Sequence, residues 1–99
     1  MKRIIYIDGD YYYKEKYVLK EEYEGFGIYQ HLCPSGFFTH QQYLISNGET
    51  TVLFPSFNRI CKEELLDAID NFNESGKFGI KCYKTINGYL MHPSGDITV

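Results

Sequence analysis

The sequence has no tryptophan, only three prolines and three cysteines, and no long apolar run. Its longest stretch without a charged side chain, 25–48, contains glutamines, histidines and a proline, which argues against a transmembrane helix there. The first ten residues, MKRIIYIDGD, hold too short an apolar segment to predict a signal peptide. Cys33, Cys61 and Cys82 are odd in number and form no C-x-x-C pair, which favours three reduced, mostly buried thiols. We therefore expect a cytoplasmic protein.

Charge and composition restrict the function further. A net charge of −3 argues against wholesale binding to a phosphate backbone. An apolar content of 43% in 99 residues predicts one compact domain, 1–99. Ten tyrosines exceed the need of so small a core, so several should lie at the surface, where tyrosine favours interfaces. The sequence contains no catalytic motif, and we expect neither an enzyme nor a bound metal or cofactor.

Three pairs of Asp or Asn followed by Gly predict tight turns between strands. They lie at 8–9, 47–48 and 87–88, each flanked by strand-forming residues, which is typical of β-hairpins. Predicted strands cover residues 2–7, 11–19, 26–32, 37–46, 50–54, 78–86, 89–92 and 96–99.

One segment has the period of an amphipathic helix, which we place at 59–74. It ends before Gly76, a residue suited to the position that terminates a helix. Hairpins, one helix and a further hairpin predict an α+β fold, with antiparallel β-hairpins forming one twisted sheet packed against a single main α-helix. The apolar stripe of the helix consists of Cys61, Leu65, Ala68, Ile69 and Phe72.

The turn at 47–48 predicts two faces for its hairpin. A two-residue loop would pair Ile45 with Thr50 and Tyr43 with Val52. Side chains alternate between the faces of a strand, so the core face should consist of Phe37, Tyr43, Ile45, Val52 and Phe54.

The opposite face of this hairpin is uncharged and half apolar, so we expect it to be covered. The cover can come from the N-terminal segment, from a second copy of the chain or from a partner. Self-association into a dimer would use Phe38, His40, Gln42, Leu44 and Leu53, with Thr51 on the same face.

A possible metal or thiol site involves His31, Cys33 and His40. These residues would share one sheet face if the turn at 33–36 had a two-residue loop, but a one-residue slip would separate them. Three such ligands fall short of the four of a structural zinc site. A nucleophilic Cys–His pair would need a third, orienting group. Surface histidines beside a half-buried cysteine are the favoured interpretation, and a small metal protein or enzyme is the third hypothesis.

The segment YYYKEKYVLK at 11–20 interleaves tyrosines with lysines. Tyr12, Lys14, Lys16 and Lys20 would lie on one side of a strand, where aromatic rings can stack on bases and lysines can follow phosphates. However, residues 1–25 carry six acidic against five basic side chains. A solvated strand is favoured, and a small nucleic-acid-binding module is the alternative function.

The helix has an acidic row opposite its apolar stripe. Glu63, Asp67, Asp70 and Glu74 are four, three and four residues apart, so they lie along one line. Steps of three and four residues separate them by about 5 to 6 Å, similar to successive phosphates of a nucleic acid. The row can thus occupy a basic groove built for a phosphate backbone, or it can serve solubility alone.

A small, acidic, tyrosine-rich chain with this row and no catalytic motif resembles the anti-CRISPR proteins. These are small inhibitors, encoded by phages and mobile elements, that block Cas9-type effectors. The resemblance implies a non-enzymatic protein in a bacterial host cell that binds a basic nucleic-acid channel, or blocks assembly of effector with guide. It implies that the partner-binding residues are the acidic row together with the surface tyrosines Tyr11, Tyr12 and Tyr13.

Overall fold

Seven strands and one helix occupy the part of the chain that the computed structural model describes, residues 2–8, 14–54, 61–80, 83–86 and 89–90. The strand predicted at 96–99 lies outside these residues. Of the strand predicted at 78–86, the structure describes Tyr83–Ile86 as a strand, and residues 81–82 lie outside the described part. Residues 78–80 are not a strand, and Gly79 has φ +80°, which interrupts an extended backbone there. The elements are β1 (Ile4–Asp8), β2 (Lys14–Tyr23), β3 (Phe26–Leu32), β4 (Phe38–Ser46), β5 (Thr51–Phe54), α1 (Lys62–Ser75), β6 (Tyr83–Ile86) and β7 (Tyr89–Leu90).

The strands form one sheet in the order of the chain. Each strand pairs antiparallel with the next, and a single parallel pair, Asp8 with Tyr89, joins β1 to β7, so the described sheet closes on itself. A bulge between Leu19 and Glu21 interrupts the pairing of β2 with β3, and bulges of this kind bend a strand. The predicted α+β class, with a sheet packed against a single helix, is confirmed.

The helix ends as its sequence predicts. Gly76 takes the left-handed conformation at φ +80°, and its backbone N–H donates to the carbonyl of Phe72 at 2.8 Å. The helix begins at Lys62, and the extended residue before it, Cys61, is exposed rather than part of the apolar stripe. The rest of the stripe faces the sheet, and Leu65 and Ile69 have no exposed surface.

Two hydrophobic cores occupy the two faces of the β3–β5 region. The first, which we call the helix-side core, packs α1 against the sheet and consists of Phe26, Ile28, Ile45, Val52, Phe54, Leu65, Ala68, Ile69 and Phe78. The second, the strand-side core, consists of Ile7, Tyr17, Tyr29, Leu44 and Leu53. Because apolar burial contributes about 1.5–3 kcal/mol for each fully buried large side chain, both cores stabilise the fold.

The loop between β4 and β5 is longer than predicted. Ser46 pairs with Thr51 and Ile45 with Val52, so four residues separate the strands. The side-chain oxygen of Asn47 accepts hydrogen bonds from the backbone N–H groups of Glu49 and Thr50, at 2.9 and 2.7 Å. The predicted register is wrong by two residues. Since side chains alternate with period two, this error leaves the two faces as predicted.

The second face of the hairpin is covered by the chain itself. Leu44 and Leu53 are 0% and 5% exposed, and they pack against Ile7 of β1 and Tyr17 of β2 in the strand-side core. The prediction that these leucines form a dimer interface is therefore wrong, because no surface of Leu44 remains for a second copy to contact.

Other residues of the predicted self-association face also make contacts within the chain. The side-chain amide of Gln42 donates to the hydroxyl of Tyr17 at 2.8 Å, and the ammonium of Lys20 lies 3.4 Å from the centre of the Phe38 ring. The side chain of His40 lies outside the described part of the structure. Phe37, predicted for the core, is 74% exposed because it precedes β4 in the turn after β3.

Candidate functional site

The acidic row lies on the exposed side of α1. Glu63, Asp67, Asp70 and Glu74 are all exposed, as the helical period requires when the opposite side is buried against the sheet. The helix carries five carboxylates and one lysine, a net charge of −4. Its last turn contains Glu74 and no basic residue, although the helix dipole favours cations at this end.

The single lysine of the helix contacts the sheet. The ammonium of Lys62 lies 2.9 Å from a carboxylate oxygen of Glu21 in β2. The hydrogen bond to Glu21 and the charge of that carboxylate raise the pKa of Lys62. Lys62 is therefore paired with a carboxylate of β2, although its charge also lowers the pKa of Glu63, the first residue of the row. Among the described residues, neither of the two salt bridges involves a carboxylate of the row.

Tyr23 joins the row from the end of β2. Its hydroxyl donates to both carboxylate oxygens of Asp70, at 3.0 and 3.1 Å. This hydrogen bond raises the pKa of Tyr23, since a phenolate there would face the carboxylate. No sequence pattern indicates Tyr23 as part of the site, because only the docking of the β2–β3 turn on α1 brings Tyr23 and Asp70 together.

The β2–β3 turn extends the acidic surface beyond the helix. The side-chain amide of Asn73 donates to the backbone carbonyl of Glu24 at 3.1 Å, which holds the turn against α1. Glu24 is exposed and takes a left-handed conformation at φ +47°. We use the name acidic face for the helix row together with the last residue of β2 and the first residue of the turn: Glu63, Asp67, Asp70, Glu74, Tyr23 and Glu24.

The start of the helix affects the ionisation of two groups. Hydrogen bonds from its own backbone N–H and from Cys61 lower the pKa of Glu63. The thiol of Cys61 lies 3.3 Å from a carboxylate oxygen of Glu64. A backbone hydrogen bond at Glu64 lowers the pKa of Cys61, but the carboxylates of Glu64 and Glu63 and desolvation raise it, and the net shift is upward.

The remaining predicted contact residues are only partly described. Tyr11, Tyr12 and Tyr13 lie outside the described residues, as does the side chain of Lys14. Lys20, assigned to the alternative nucleic-acid platform, makes a cation–π contact with Phe38. The role of the segment 11–20 in binding therefore stays a prediction.

The predicted arrangement of His31, Cys33 and His40 depends on a register that the structure does not have. Leu32 pairs with Phe38 and Gln30 pairs with residue 43, with an irregularity between them. The two-residue loop on which this arrangement depended is therefore not formed, and the diagonal pairing of the two histidines is lost with it. The favoured interpretation, surface histidines beside a half-buried cysteine, is wrong for His31, which is buried, and is confirmed for Cys33. The expectation that all three thiols are mostly buried is also wrong, since Cys61 is exposed and Cys33 half-buried.

His31 instead lies between a carboxylate and a thiol. It is buried, at 8% exposure. Its Nε2 contacts a carboxylate oxygen of Glu15, and its Nδ1 lies 3.9 Å from the sulfur of Cys33. The sequence alone shows no orienting group for this histidine, because Glu15 reaches it only through the pairing of β2 with β3.

This arrangement does not resemble a metal site. The carboxylate and the thiol contact opposite nitrogens of one imidazole, so they cannot converge on a shared ion. In the described part of the chain, no three His, Cys, Asp or Glu side chains come close enough together to hold a metal.

Comparison of the chain with protein-family models, curated proteins and solved structures gives no match. Across the residues that the structure covers, no helix combines the length and apolar composition needed to cross a membrane. The function is therefore inferred from the surface chemistry of the chain itself.

Proposed function

We propose that this protein is a small, non-enzymatic inhibitor that binds a nucleic-acid-binding protein, a Cas9-type effector, through its acidic face. The observation that carries the proposal is the row of exposed carboxylates on α1, none of which forms a salt bridge with a described residue. Binding at this row would block the basic surface on which the effector holds its guide or its DNA.

The geometry of the row supports mimicry of a phosphate backbone. Between Glu63 and Glu74 the helix rises about 16 Å, at about 1.5 Å per residue. The carboxylates keep their spacing because the other side of the helix is packed in the helix-side core, where Leu65 and Ile69 are fully buried. A rigid row of this kind lowers the entropic cost of binding a basic groove.

The energetics of the row also favour a binding role over solubility. Like charges at these helical spacings destabilise a helix by about 0.2–0.5 kcal/mol per pair, and Glu74 opposes the helix dipole. Scattered carboxylates would serve solubility without this cost. Locally unfavourable arrangements are typical of functional sites.

Tyr23 adds a contact that a carboxylate row alone lacks. Its hydroxyl orients the carboxylate of Asp70, and tyrosine rings are enriched in protein interfaces. The acidic face therefore combines charge with one aromatic side chain, and we expect it to contact arginines and lysines of the effector.

The test compares two double variants with the same net charge. Asp67→Asn/Glu74→Gln removes two carboxylates from the acidic face and leaves the Tyr23–Asp70 contact intact. The control, Glu22→Gln/Glu49→Gln, removes two exposed carboxylates elsewhere. Glu22 alternates with Glu21 and Tyr23, which both contact α1, so Glu22 lies on the other face of β2.

The assay is inhibition of target cleavage by a panel of purified Cas9-type effectors with their guides, together with association rates at low and moderate salt. We expect the acidic-face variant to inhibit less and to associate more slowly and with a weaker salt dependence. The control should behave as the unaltered protein. Equal inhibition by both variants would refute the role of the acidic face, and no inhibition of any effector by the unaltered protein would refute the partner class.

A further inference from the structure

A second cluster of reactive side chains lies outside the acidic face, where β2 pairs with β3. It consists of Glu15 on β2, His31 on β3 and Cys33 just after β3. The ring of Tyr17 also packs here, with its centre 5.2 Å from that of His31. The acidic face makes no use of these residues, so the cluster calls for its own explanation.

The contacts of His31 select one arrangement of its ring protons. A carboxylate accepts hydrogen bonds, so the Glu15 contact holds the proton of a neutral imidazole on Nε2. Nδ1 of this tautomer carries a lone pair, and the sulfur of Cys33 lies 3.9 Å from it. This order of carboxylate, imidazole and thiol is the arrangement by which an adjacent base activates a nucleophile.

The base is more deeply buried than the residue that carries the thiol. His31 is 8% exposed, which holds its ring in place. Cys33 is half-buried and begins a turn whose other residues, 34–36, are exposed. The turn is closed by hydrogen bonds from Gly36 N–H to the Cys33 carbonyl at 2.9 Å and from Cys33 N–H to the Phe37 carbonyl at 2.8 Å. A small reagent would reach the half-buried Cys33 from the side of this exposed turn.

We propose that Cys33 is a nucleophilic thiol that exchanges with low-molecular-weight disulfides, with His31 as its base and Glu15 as a positioning residue. Nδ1 of His31 takes the thiol proton, and the sulfur of Cys33 attacks one sulfur of the disulfide. The disulfide bond breaks as the new bond to Cys33 forms. The leaving thiolate then takes the proton from the imidazolium, so one thiol is consumed and one is released.

The chain contains its own control for this reaction. Cys61 is exposed, whereas Cys33 is half-buried, so exposure alone predicts that Cys61 reacts faster. Cys61 has two carboxylates and no imidazole among its described contacts. Activation by His31 predicts the reverse order, because only the thiolate attacks a disulfide. The raised pKa of Cys61 acts in the same direction, so the variants of His31 and Glu15 decide whether Cys33 is activated.

The experiment uses dithiodipyridine, a neutral aromatic disulfide whose released thiol absorbs light. Peptide mass spectrometry assigns the product to each of the three cysteines over time. We expect Cys33 to react faster than Cys61 at neutral pH. In His31→Gln the rate at Cys33 should fall about tenfold or more, while the rate at Cys61 stays unchanged.

The variant Glu15→Gln tests whether the charge of Glu15 positions His31, or whether the side chain of Glu15 only fills space beside it. It keeps the shape of the side chain and an oxygen that can accept from Nε2, but it removes the charge. The carboxylate of Glu15 is 38% exposed, so this variant should fold even if His31→Gln does not, which near-ultraviolet circular dichroism can verify. A lower rate at Cys33 alone supports the positioning role.

Two results would overturn the proposal. The first is that Cys33 reacts no faster than Cys61 in the unaltered protein. The second is that Glu15→Gln leaves the ratio of the Cys33 rate to the Cys61 rate unchanged. Neither measurement involves an effector, so its outcome is independent of the inhibitor function proposed above.

Discussion

Replacing Leu44 with Lys tests whether this residue belongs to the core or to a surface that contacts a second copy. Leu44 has no exposed surface and packs with Ile7, Tyr17, Tyr29 and Leu53. Truncating a buried leucine to alanine costs about 2–5 kcal/mol, and a buried ammonium without a partner adds a further penalty. A domain of this size is stable by only about 5–15 kcal/mol, so Leu44→Lys should be largely unfolded and Leu44→Ala folded but weakened.

Phe37 provides the matched control, since the sequence pattern predicted it for the core. It is 74% exposed, so Phe37→Lys should change the free energy of unfolding by no more than about 0.5 kcal/mol. Urea unfolding followed by circular dichroism measures the stability of all three variants, and size exclusion with light scattering measures their mass. A Leu44→Lys protein that is as stable as the unaltered chain, with a lower mass, would refute the burial argument and restore the dimer interface.

Three further predictions concern the acidic face, the tyrosines and the β4–β5 loop. The double variant Asp67→Asn/Glu74→Gln relieves four like-charge pairs at spacings of three or four residues and keeps the Tyr23–Asp70 contact, so the free energy of unfolding should rise by about 0.8 to 2 kcal/mol; thermal melting with no gain would contradict this estimate. Burial raises the pKa of Tyr17 and Tyr29, and the hydrogen bond to Asp70 raises the pKa of Tyr23. As pH rises, the unfolded chain therefore loses these protons at a lower pH than the folded chain does. The free energy of unfolding should consequently fall as pH rises above about 10. Urea midpoints across that range measure the fall, which should be smaller in Tyr23→Phe; a flat profile would refute it. Asn47→Ala removes the acceptor of two loop N–H groups and should cost about 1 kcal/mol in urea unfolding; an unchanged midpoint would show that the loop does not depend on this side chain.

Several features of the fold could be predicted because they depend on neighbours along the chain. The helix shows its apolar period and its terminating Gly76 within a few residues, and α1 ends where they indicate. The two faces of the β4–β5 hairpin follow from alternation, which tolerated the error of two residues in register. The register itself depends on the bonds of Asn47 within the loop, which the Asn-Gly pair alone does not specify.

The cover of the second hairpin face could not be predicted in the same way. The uncharged, half-apolar composition of this face indicated only that Leu44 and Leu53 should be covered, without indicating by which residues. Whether a second copy or the N-terminal strands do so depends on contacts far apart in the sequence, which bring Tyr17 and Ile7 onto this face. A chain has many such pairings available, and local propensity does not distinguish among them.

The candidate site likewise has a part that could be predicted from the sequence and a part that could not. The amino-acid sequence alone determined the acidic row, because residues three or four apart must share a side of a helix. Only the tertiary structure placed Tyr23 against Asp70, 47 residues away, and Glu15 against His31, 16 residues away. Those contacts arise from the docking of a turn on a helix and from the pairing of two strands, and neither leaves a periodic signal in the sequence.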